Sequence, residues 1–351
     1  MAERTCIRGR GGVTALAKAR DLVRLGAARA VGRALPFSVT FILTHRCNFR
    51  CEYCEIPERA AEEMSDAEFC AAIDELRAAG MARASFSGGE ALLRRDAPRI
   101  VGHAKRAGCF TSMNTNGWRT GNVLKDMAGL LDMVVLSLDG PEPVHDLVRR
   151  RPGSYARVIA AIEQARGLGM SVATITVVGP WNVARIEEIA ELTGSLGVWA
   201  YFQPAHEECF DAEAGLHPAL TPAVLAEVAD RLERLRARGL PIGASPGFLR
   251  RLRRAPRFHD CAACHAGRYF ATVMPEGWVV PCHLTSGAGQ YLNGREVGFA
   301  RAFFEMPHPR AGDGCAISPY VETDLIFRLD PRAIAAALRR GDGAPGRSAG
   351  G

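Results

Sequence analysis

Residues 39–54 read Val-Thr-Phe-Ile-Leu-Thr-His-Arg-Cys-Asn-Phe-Arg-Cys-Glu-Tyr-Cys, a β-rich run followed at once by three closely spaced cysteines. The run predicts a β-strand over residues 39–43. The cysteines at positions 47, 51 and 54 therefore lie in the loop that leaves this strand, which begins at Thr44.

The segment after this loop alternates amphipathic helical stretches with short β-rich runs as far as about residue 204. The first helix is bounded most clearly, because Ser65 and Glu68 form a capping box and Gly80 closes it. Alternation of this kind predicts an α/β fold, a partial (βα)6 TIM-like barrel around a parallel sheet. The six predicted strands are 39–43, 84–87, 110–114, 133–138, 172–178 and 199–203.

The carboxyl ends of these strands are where the chemistry of a βα barrel gathers. We therefore expect the loops that begin at Thr44, Gly88, Thr115, Asp139, Gly179 and Pro204 to face the functional site.

The chain divides on composition into four predicted regions. A basic, amphipathic extension covers residues 1–37, and the barrel covers residues 38–240. A small Cys-, Gly- and Pro-rich unit with a helix at residues 331–339 covers residues 241–340. Residues 341–351 are rich in Gly, Ser, Ala and Pro and are predicted to be disordered.

Composition excludes several classes of protein. No run of 18 or more apolar residues predicts a membrane span, and the basic N-terminus lacks the apolar core of a secretory signal. We therefore expect a cytoplasmic protein. The net charge of +6 is modest, so we expect no nucleic-acid partner. Eleven cysteines without an export signal indicate metal binding or catalysis rather than disulfides.

Cys47, Cys51 and Cys54 can each bind one iron of a four-iron cubane, because thiolates are the soft ligands that such clusters need. The fourth iron would then be open to a chelating small molecule. The spacing alone leaves two alternatives, a zinc knuckle with a distant fourth ligand and a loop with chance cysteines.

The loop after the second strand carries Phe86-Ser87-Gly88-Gly89-Glu90. The glycines let the backbone approach a ligand closely, and Glu90 can steady an ammonium group. In this order and on consecutive strand ends, the two motifs closely resemble the radical S-adenosylmethionine (radical SAM) superfamily. The resemblance covers roughly residues 38–205 and includes Tyr53 before the last cysteine, with His45 where an Asn is commoner.

The resemblance implies roles for further residues. Cys47, Cys51 and Cys54 would bind a 4Fe-4S cluster and form the catalytic centre, and Gly88, Gly89 and Glu90 would bind the methionine amino group of S-adenosylmethionine. Further cofactor-binding positions implied by the match are Tyr53, Asn116, Ser137 and Arg149, the last two from the run that also contains Asp139, His145, Asp146, Gly153 and Tyr155. The family's reaction cleaves S-adenosylmethionine to methionine and a 5′-deoxyadenosyl radical, with a flavodoxin- or ferredoxin-type protein as electron donor.

A second group of cysteines lies in the C-terminal unit, at positions Cys261, Cys264, Cys282 and Cys315. A structural zinc ribbon would use the same residues. Behind a radical SAM barrel the group resembles the auxiliary-cluster modules called twitch and SPASM, with Gly277 and Cys282 at the expected offset. We expect one auxiliary 4Fe-4S cluster with four thiolates, although His265 or His283 could replace Cys315.

Other segments have weaker signals. Cys209, with His206, Glu207 and Glu208, follows the sixth strand and could reach the barrel mouth, but a loop role is favoured. The helix predicted over residues 13–35 could touch an anionic membrane, although packing against the barrel is favoured. The arginines of residues 250–257 could offset cluster charge or line a solvated helix face.

The substrate is the least determined part of the interpretation. We expect a small molecule, sugar or lipid, because peptide-modifying members of the family often carry a fused leader-binding domain and only 37 residues precede the barrel here. The alternatives are a maturase that modifies a ribosomally synthesised peptide, and a non-catalytic scaffold that binds zinc.

Overall fold

A computed structural model describes residues 15–58, 62–205, 220–254, 264–282, 291–307 and 317–341. Its centre is one eight-stranded sheet with the strand order β6-β5-β4-β3-β2-β1-β7-β8. Every neighbouring pair is parallel except β7 and β8, which are antiparallel. The strands are β1 (Ser38–Ile42), β2 (Arg83–Ser87), β3 (Phe110–Thr115), β4 (Met133–Ser137), β5 (Ser171–Val178), β6 (Trp199–Pro204), β7 (Phe270–Val273) and β8 (Val279–Val280).

Helices precede, connect and follow the strands along the described chain. They are α1 (Ala15–Ala30), α2 (Asp66–Ala79), α3 (Ala97–Arg106), α4 (Gly121–Asp126), α5 (Glu142–Arg149), α6 (Ser154–Gly167), α7 (Ile186–Ser195), α8 (Pro222–Ala237), α9 (Pro246–Arg253), α10 (Gly294–Val297), α11 (Phe299–Phe304), α12 (Ser318–Phe327) and α13 (Pro331–Gly341). The sheet is open, with β6 and β8 at its edges, so the predicted partial (βα)6 barrel is confirmed.

The local signals in the sequence match the structure closely. All six predicted strands are present, with bounds that differ by one residue at most. The capping box of α2 is formed on both sides, by the Ser65 side chain and by the carboxylate of Glu68. That carboxylate has a pKa below its ordinary value, because it accepts hydrogen bonds from Ser65.

Alternate residues of the strands face two different environments. On β1 and β2, Val39, Phe41, Ala84 and Phe86 are buried against the helices, and the rings of Phe41 and Phe86 stack at 5.7 Å. The intervening positions are half-buried and largely polar. This inner face carries Thr40, Ser85, Ser87, Ser112, Asn114 and Ser137. Small polar side chains fill a barrel interior less completely than branched apolar ones do.

The C-terminal segment extends the barrel sheet instead of forming a sheet of its own. β7 pairs with β1, from Ser38 opposite Phe270 to Phe41 opposite Val273. α9 and α12 share one apolar core with β6 and α8. Residues on both sides of position 240 thus share a sheet and an apolar core, and the predicted division into domains stays a prediction.

The N-terminal helix is shorter than the predicted 13–35. α1 packs on the sheet through Leu25, beside Phe37 and the ring of Tyr269. Leu22 and Val23 of the same helix are 62% and 71% exposed. The packing that the sequence favoured is present, and membrane contact stays a prediction. Among the described residues, no helix is both long enough and apolar enough to span a bilayer.

The arginines of α9 have carboxylate partners within the protein. Arg250 pairs with Asp330, and Arg251 pairs with the fully buried Asp324. Arg253 pairs with two acidic residues of α8, Asp230 and Glu233. These three arginines therefore tie α9 to α8, to α12 and to the residue before α13.

Candidate functional site

The first cysteine loop is tied by its backbone to the next loop along the sheet. The amide of Gly89 donates to the carbonyl of Thr44 at 2.8 Å, and the amide of Glu90 donates to the carbonyl of Arg46 at 2.9 Å. The loops after β1 and β2 therefore form one unit, as their shared position at the carboxyl edge of the sheet predicted.

Glycine is required where these two loops meet. A Cβ atom on Gly89 would lie 2.4 Å from the carbonyl oxygen of Arg46, and one on Gly88 would lie 2.5 Å from that of Thr44. Gly88 also has a φ of 150°, a backbone conformation that side chains disfavour. Close approach of the two loop backbones is thus the physical reason for glycine at positions 88 and 89.

Glu90 joins the second loop to the third. Its carboxylate accepts from the Thr115 hydroxyl at 2.9 Å, from the Asn116 amide at 2.7 Å and from the Leu92 amide at 3.0 Å. Burial raises the pKa of Glu90, while these hydrogen bonds oppose the rise. A carboxylate has about four acceptor positions, so one is left for a further donor such as an ammonium group.

The sulfur atoms of the first cysteines lie among hydrogen-bond donors. Cys47 Sγ accepts from the Phe49 amide at 3.4 Å and lies 4.0 Å from Asn116 Nδ2. Cys51 Sγ lies 3.6 Å from an NH group of Arg149. Burial raises the pKa of Cys47 to about 11 and also raises that of Cys51, so incoming iron has to displace thiol protons.

The buried carboxylate of Asp139 organises this region. The sequence alone did not indicate Asp139 as a cofactor-binding residue. Asp139, which is fully buried after β4, lies 2.7 Å from Nε of Arg149 and accepts from the Tyr53 hydroxyl at 3.1 Å. Its other oxygen accepts from the Val177 amide at 2.9 Å. Asp139 thus holds Tyr53 and Arg149 beside Cys51.

The donor set fits an iron–sulfur cluster. Three cysteine sulfurs are the soft ligands that such a cluster takes. Within the described part of the chain, no group of three or more His, Cys, Asp or Glu is placed to hold a single metal ion. Asn48 Nδ2, next to Cys47, is buried and has no hydrogen-bond partner among the described residues. A cluster with acceptor sulfides would supply one.

Comparison with known proteins agrees with this geometry. The model of the radical SAM superfamily matches residues 41–193. A PqqA peptide cyclase of Gluconobacter oxydans is 32% identical over 261 residues, which are 71% of this chain and 70% of that protein. A PqqA peptide cyclase of Xanthomonas campestris is 31% identical over 258 residues, which are 71% of this chain and 67% of that protein.

The chain belongs to the radical SAM superfamily. It is accordingly an enzyme that uses a 4Fe-4S cluster and S-adenosylmethionine.

Solved structures of radical SAM enzymes share its fold. SuiB of Streptococcus suis bound to S-adenosylmethionine superposes with a TM-score of 0.66 at 15% identity, covering 84% of this chain and 71% of that chain. The chain anSMEcpe with bound AdoMet superposes with a TM-score of 0.64 at 15% identity, covering 88% of this chain and 100% of that chain.

The other residues for which the sequence predicted a cofactor-binding role lie at the same carboxyl edge of the sheet. Asn116 is buried, and its side-chain Nδ2 donates to Asn48 Oδ1 at 3.0 Å. Ser137 ends β4 on the half-buried inner face. The structure therefore brings together the loops after β1 to β5, while residues 206–219, with Cys209, lie outside the described residues.

The second cysteine group is described only in part. Cys264 accepts from the Ala266 amide at 3.4 Å and packs beside β7, and Cys282 follows β8. Cys261 and Cys315 lie outside the described residues. His265 Nδ1 lies 2.8 Å from Asp324 Oδ1, so this ring is oriented by a carboxylate.

Proposed function

We propose that this enzyme is a maturase that modifies a ribosomally synthesised peptide by radical chemistry. The supporting observation is its similarity to PqqA peptide cyclases across 71% of the chain. That similarity favours the peptide alternative over a small molecule, sugar or lipid as substrate.

The inner face of the sheet suits such a substrate. Ser85 and Ser112 are half-buried there and lie 3.1 Å apart between their hydroxyl oxygens, and Asn114 lies nearer the mouth on the same face of β3. A peptide presents backbone donors and acceptors at every residue, and these side chains can pair with them.

Residues of the loops after β1, β2 and β3, together with Ser137 of β4 and Arg149 of α5, are proposed to hold the cofactors. Cys47, Cys51 and Cys54 would bind the cluster, and S-adenosylmethionine would lie against residues 88–90. Tyr53, Asn116, Ser137 and Arg149 would surround it. The bound pair supplies one-electron reductive cleavage of a carbon–sulfur bond.

The chain's own side chains orient and shield that chemistry. Glu90 is buried and negatively charged when ionised, so it favours a cationic amino group over a neutral one. Arg149 places a positive charge beside Cys51, which offsets the charge of a thiolate-ligated cluster. Tyr53 stacks on Trp181 at a ring distance of 5.8 Å, which links the first loop to the loop after β5.

An auxiliary 4Fe-4S cluster is proposed for the second cysteine group. β8 runs antiparallel to β7, so Cys282 returns toward the amino-terminal end of β1, where Cys264 also packs near Phe37. This end is opposite the one that Cys47 occupies. A cluster there suits electron transfer, and a flavodoxin- or ferredoxin-type protein is the proposed donor in a cytoplasmic setting.

The experiment uses a soluble extract of the source cells, divided in two, with one half digested by a broad-specificity protease that is then inactivated. The anaerobically reconstituted enzyme receives S-adenosylmethionine, dithionite and either half, and 5′-deoxyadenosine is quantified. A peptide substrate predicts that the intact extract stimulates formation of 5′-deoxyadenosine and that digestion abolishes the stimulation.

The Cys51→Ala variant serves as the control and is expected to form no 5′-deoxyadenosine with either half. Stimulation that survives digestion unchanged would show that the substrate is a small molecule, sugar or lipid, and would overturn the proposal.

A further inference from the structure

The tip of the C-terminal hairpin contacts the loop that leads into Cys47. Glu276 lies in the turn between β7 and β8, and its Oε1 is 2.7 Å from Nε2 of His45. The side chain of His45 is only 5% exposed and that of Glu276 is 26% exposed, so the histidine side of the contact is shielded from solvent. A hydrogen bond to a charged group in such a place is stronger than one in water.

The turn that presents Glu276 is fixed on both sides. Its own backbone closes with a hydrogen bond of 2.9 Å from the Gly277 amide to the Met274 carbonyl. Asn293 Nδ2 donates to the carbonyl of Glu276 at 3.0 Å. The carbonyl of Pro275 accepts from the Met64 amide at 2.7 Å. The backbone at Glu276 is therefore held in place by the turn itself, by Asn293 and by the segment before α2.

His45 is flanked by the two residues that bind the glycine loop. The carbonyl of Thr44 accepts from Gly89, and that of Arg46 accepts from Glu90. A displacement of His45 would therefore shift both carbonyls, and with them residues 88–90. The amide of His45 also donates to Glu63 Oε1 at 3.2 Å, which anchors the same segment from the side of α2.

We propose that Glu276, acting through His45, is a positioning residue that sets the affinity of the enzyme for S-adenosylmethionine. The inference rests on the proposed placement of that molecule against residues 88–90. It gives the C-terminal hairpin a function at the first site that is separate from its cysteines. It also gives a reason for His45, because an asparagine side chain in its place is too short to reach Glu276.

The test is equilibrium dialysis of labelled S-adenosylmethionine against the reconstituted full-length enzyme without reductant, so that binding is measured apart from turnover. Glu276→Ala is expected to raise the Kd roughly tenfold, with the iron content and Tm unchanged. Glu276→Gln keeps an acceptor oxygen and is expected to retain most of the affinity. If Glu276→Ala folds poorly, Glu276→Asp, which retracts the carboxylate, takes its place.

A double-mutant cycle tests whether Glu276 acts through His45. His45→Asn is expected to weaken binding as Glu276→Ala does, and the double variant is expected to be no weaker than either single one. Glu296→Gln, an exposed glutamate of the same unit, is the matched control and should bind like the wild type. Additive effects of the two substitutions would overturn the proposed route through His45.

The Glu90→Gln variant distinguishes an error in the role of Glu276 from an error in the placement of S-adenosylmethionine. If Glu90→Gln binds S-adenosylmethionine normally, the placement against residues 88–90 is wrong. If Glu90→Gln weakens binding while Glu276→Ala binds like the wild type, the placement stands and the role of Glu276 is overturned.

Discussion

Arg149 and Cys51 lie 98 positions apart in the sequence, and an NH group of the guanidinium lies 3.6 Å from the cysteine sulfur. The opposite side of the same guanidinium is 2.7 Å from the buried carboxylate of Asp139. One positive charge is thus shared between Cys51, a proposed cluster ligand, and the fixed carboxylate of Asp139.

The charge on Arg149 should raise the reduction potential of the cluster, because a nearby cation stabilises the more negative, reduced state. We expect Arg149→Gln to lower the potential by on the order of tens of millivolts, and Arg149→Lys to lower it less. A redox titration followed by electron paramagnetic resonance measures this. Arg150→Gln is the control, because Arg150 pairs with the exposed Glu52 at 2.6 Å. Equal potentials in the Arg149 variants and the wild type would contradict this role.

A methyl group at residue 89 should disrupt the first site, because it would lie 2.4 Å from the carbonyl oxygen of Arg46. We expect Gly89→Ala to destabilise the fold by about 1–3 kcal/mol and to reduce cluster content. Urea unfolding and iron analysis check both effects. Gly167→Ala, where a Cβ meets nothing within 4 Å at the end of α6, should leave both unchanged or improve stability. A normally loaded Gly89→Ala protein would show that the close approach is dispensable.

His145 should make the fold sensitive to mild acid. Burial lowers its pKa from 6.5 to about 4. The unfolded chain therefore binds the proton more readily, and stability that is complete above pH 6.5 falls as the pH drops toward 4, by up to about 3 kcal/mol. Urea unfolding between pH 7.5 and pH 4.5 measures the slope. In His145→Asn the slope over this range should be smaller than in the wild type, and an identical slope would assign the acid sensitivity to other groups.

Two clusters predict about eight iron atoms per chain after anaerobic reconstitution. Cys282→Ala should reduce this to about four. Cys70→Ala is the matched control, since that half-buried thiol of α2 belongs to neither group, and it should keep the full iron content. About four irons with bound zinc in the wild type would instead support a structural zinc site in the C-terminal unit.

The sequence predicted the features whose causes are local. The six strands follow from short β-rich runs, and α2 from a capping box that needs only four consecutive residues. The loops after β1 and β2 could be placed together because parallel strands end on the same edge. That placement is confirmed by the bonds from Gly89 and Glu90.

Long-range contacts could not be predicted in the same way. His45 and Glu276 are 231 residues apart, and neither has a pattern that indicates the other. Asp139 occurs in a motif that the sequence analysis quoted, but only its complete burial shows that it serves Tyr53 and Arg149. The pairing of β7 with β1 is likewise a property of the whole fold.

Part of the quoted run after β4 proves to be structural. Asp146 accepts hydrogen bonds from the hydroxyl of Ser154 and from the amide of Tyr155, each at 2.7 Å, at the first turn of α6. Gly153 precedes this helix with a φ of 80° and has no side chain that could cap it. The carboxylate of Asp146 caps the helix instead. A motif recognised by similarity can therefore contain residues of the scaffold as well as residues of the site.

The position of β1 between β2 and β7 has a consequence for how the enzyme is made. While the ribosome is still translating the barrel, the β1 edge opposite β2 stays open until residues 270–273 emerge. Open edges of this kind invite mispairing between nascent chains, and contacts so distant in sequence form slowly. Iron delivered at that stage would meet a loop whose His45 still lacks its partner. Insertion of the metal centre after release of the finished polypeptide is the order that this topology favours.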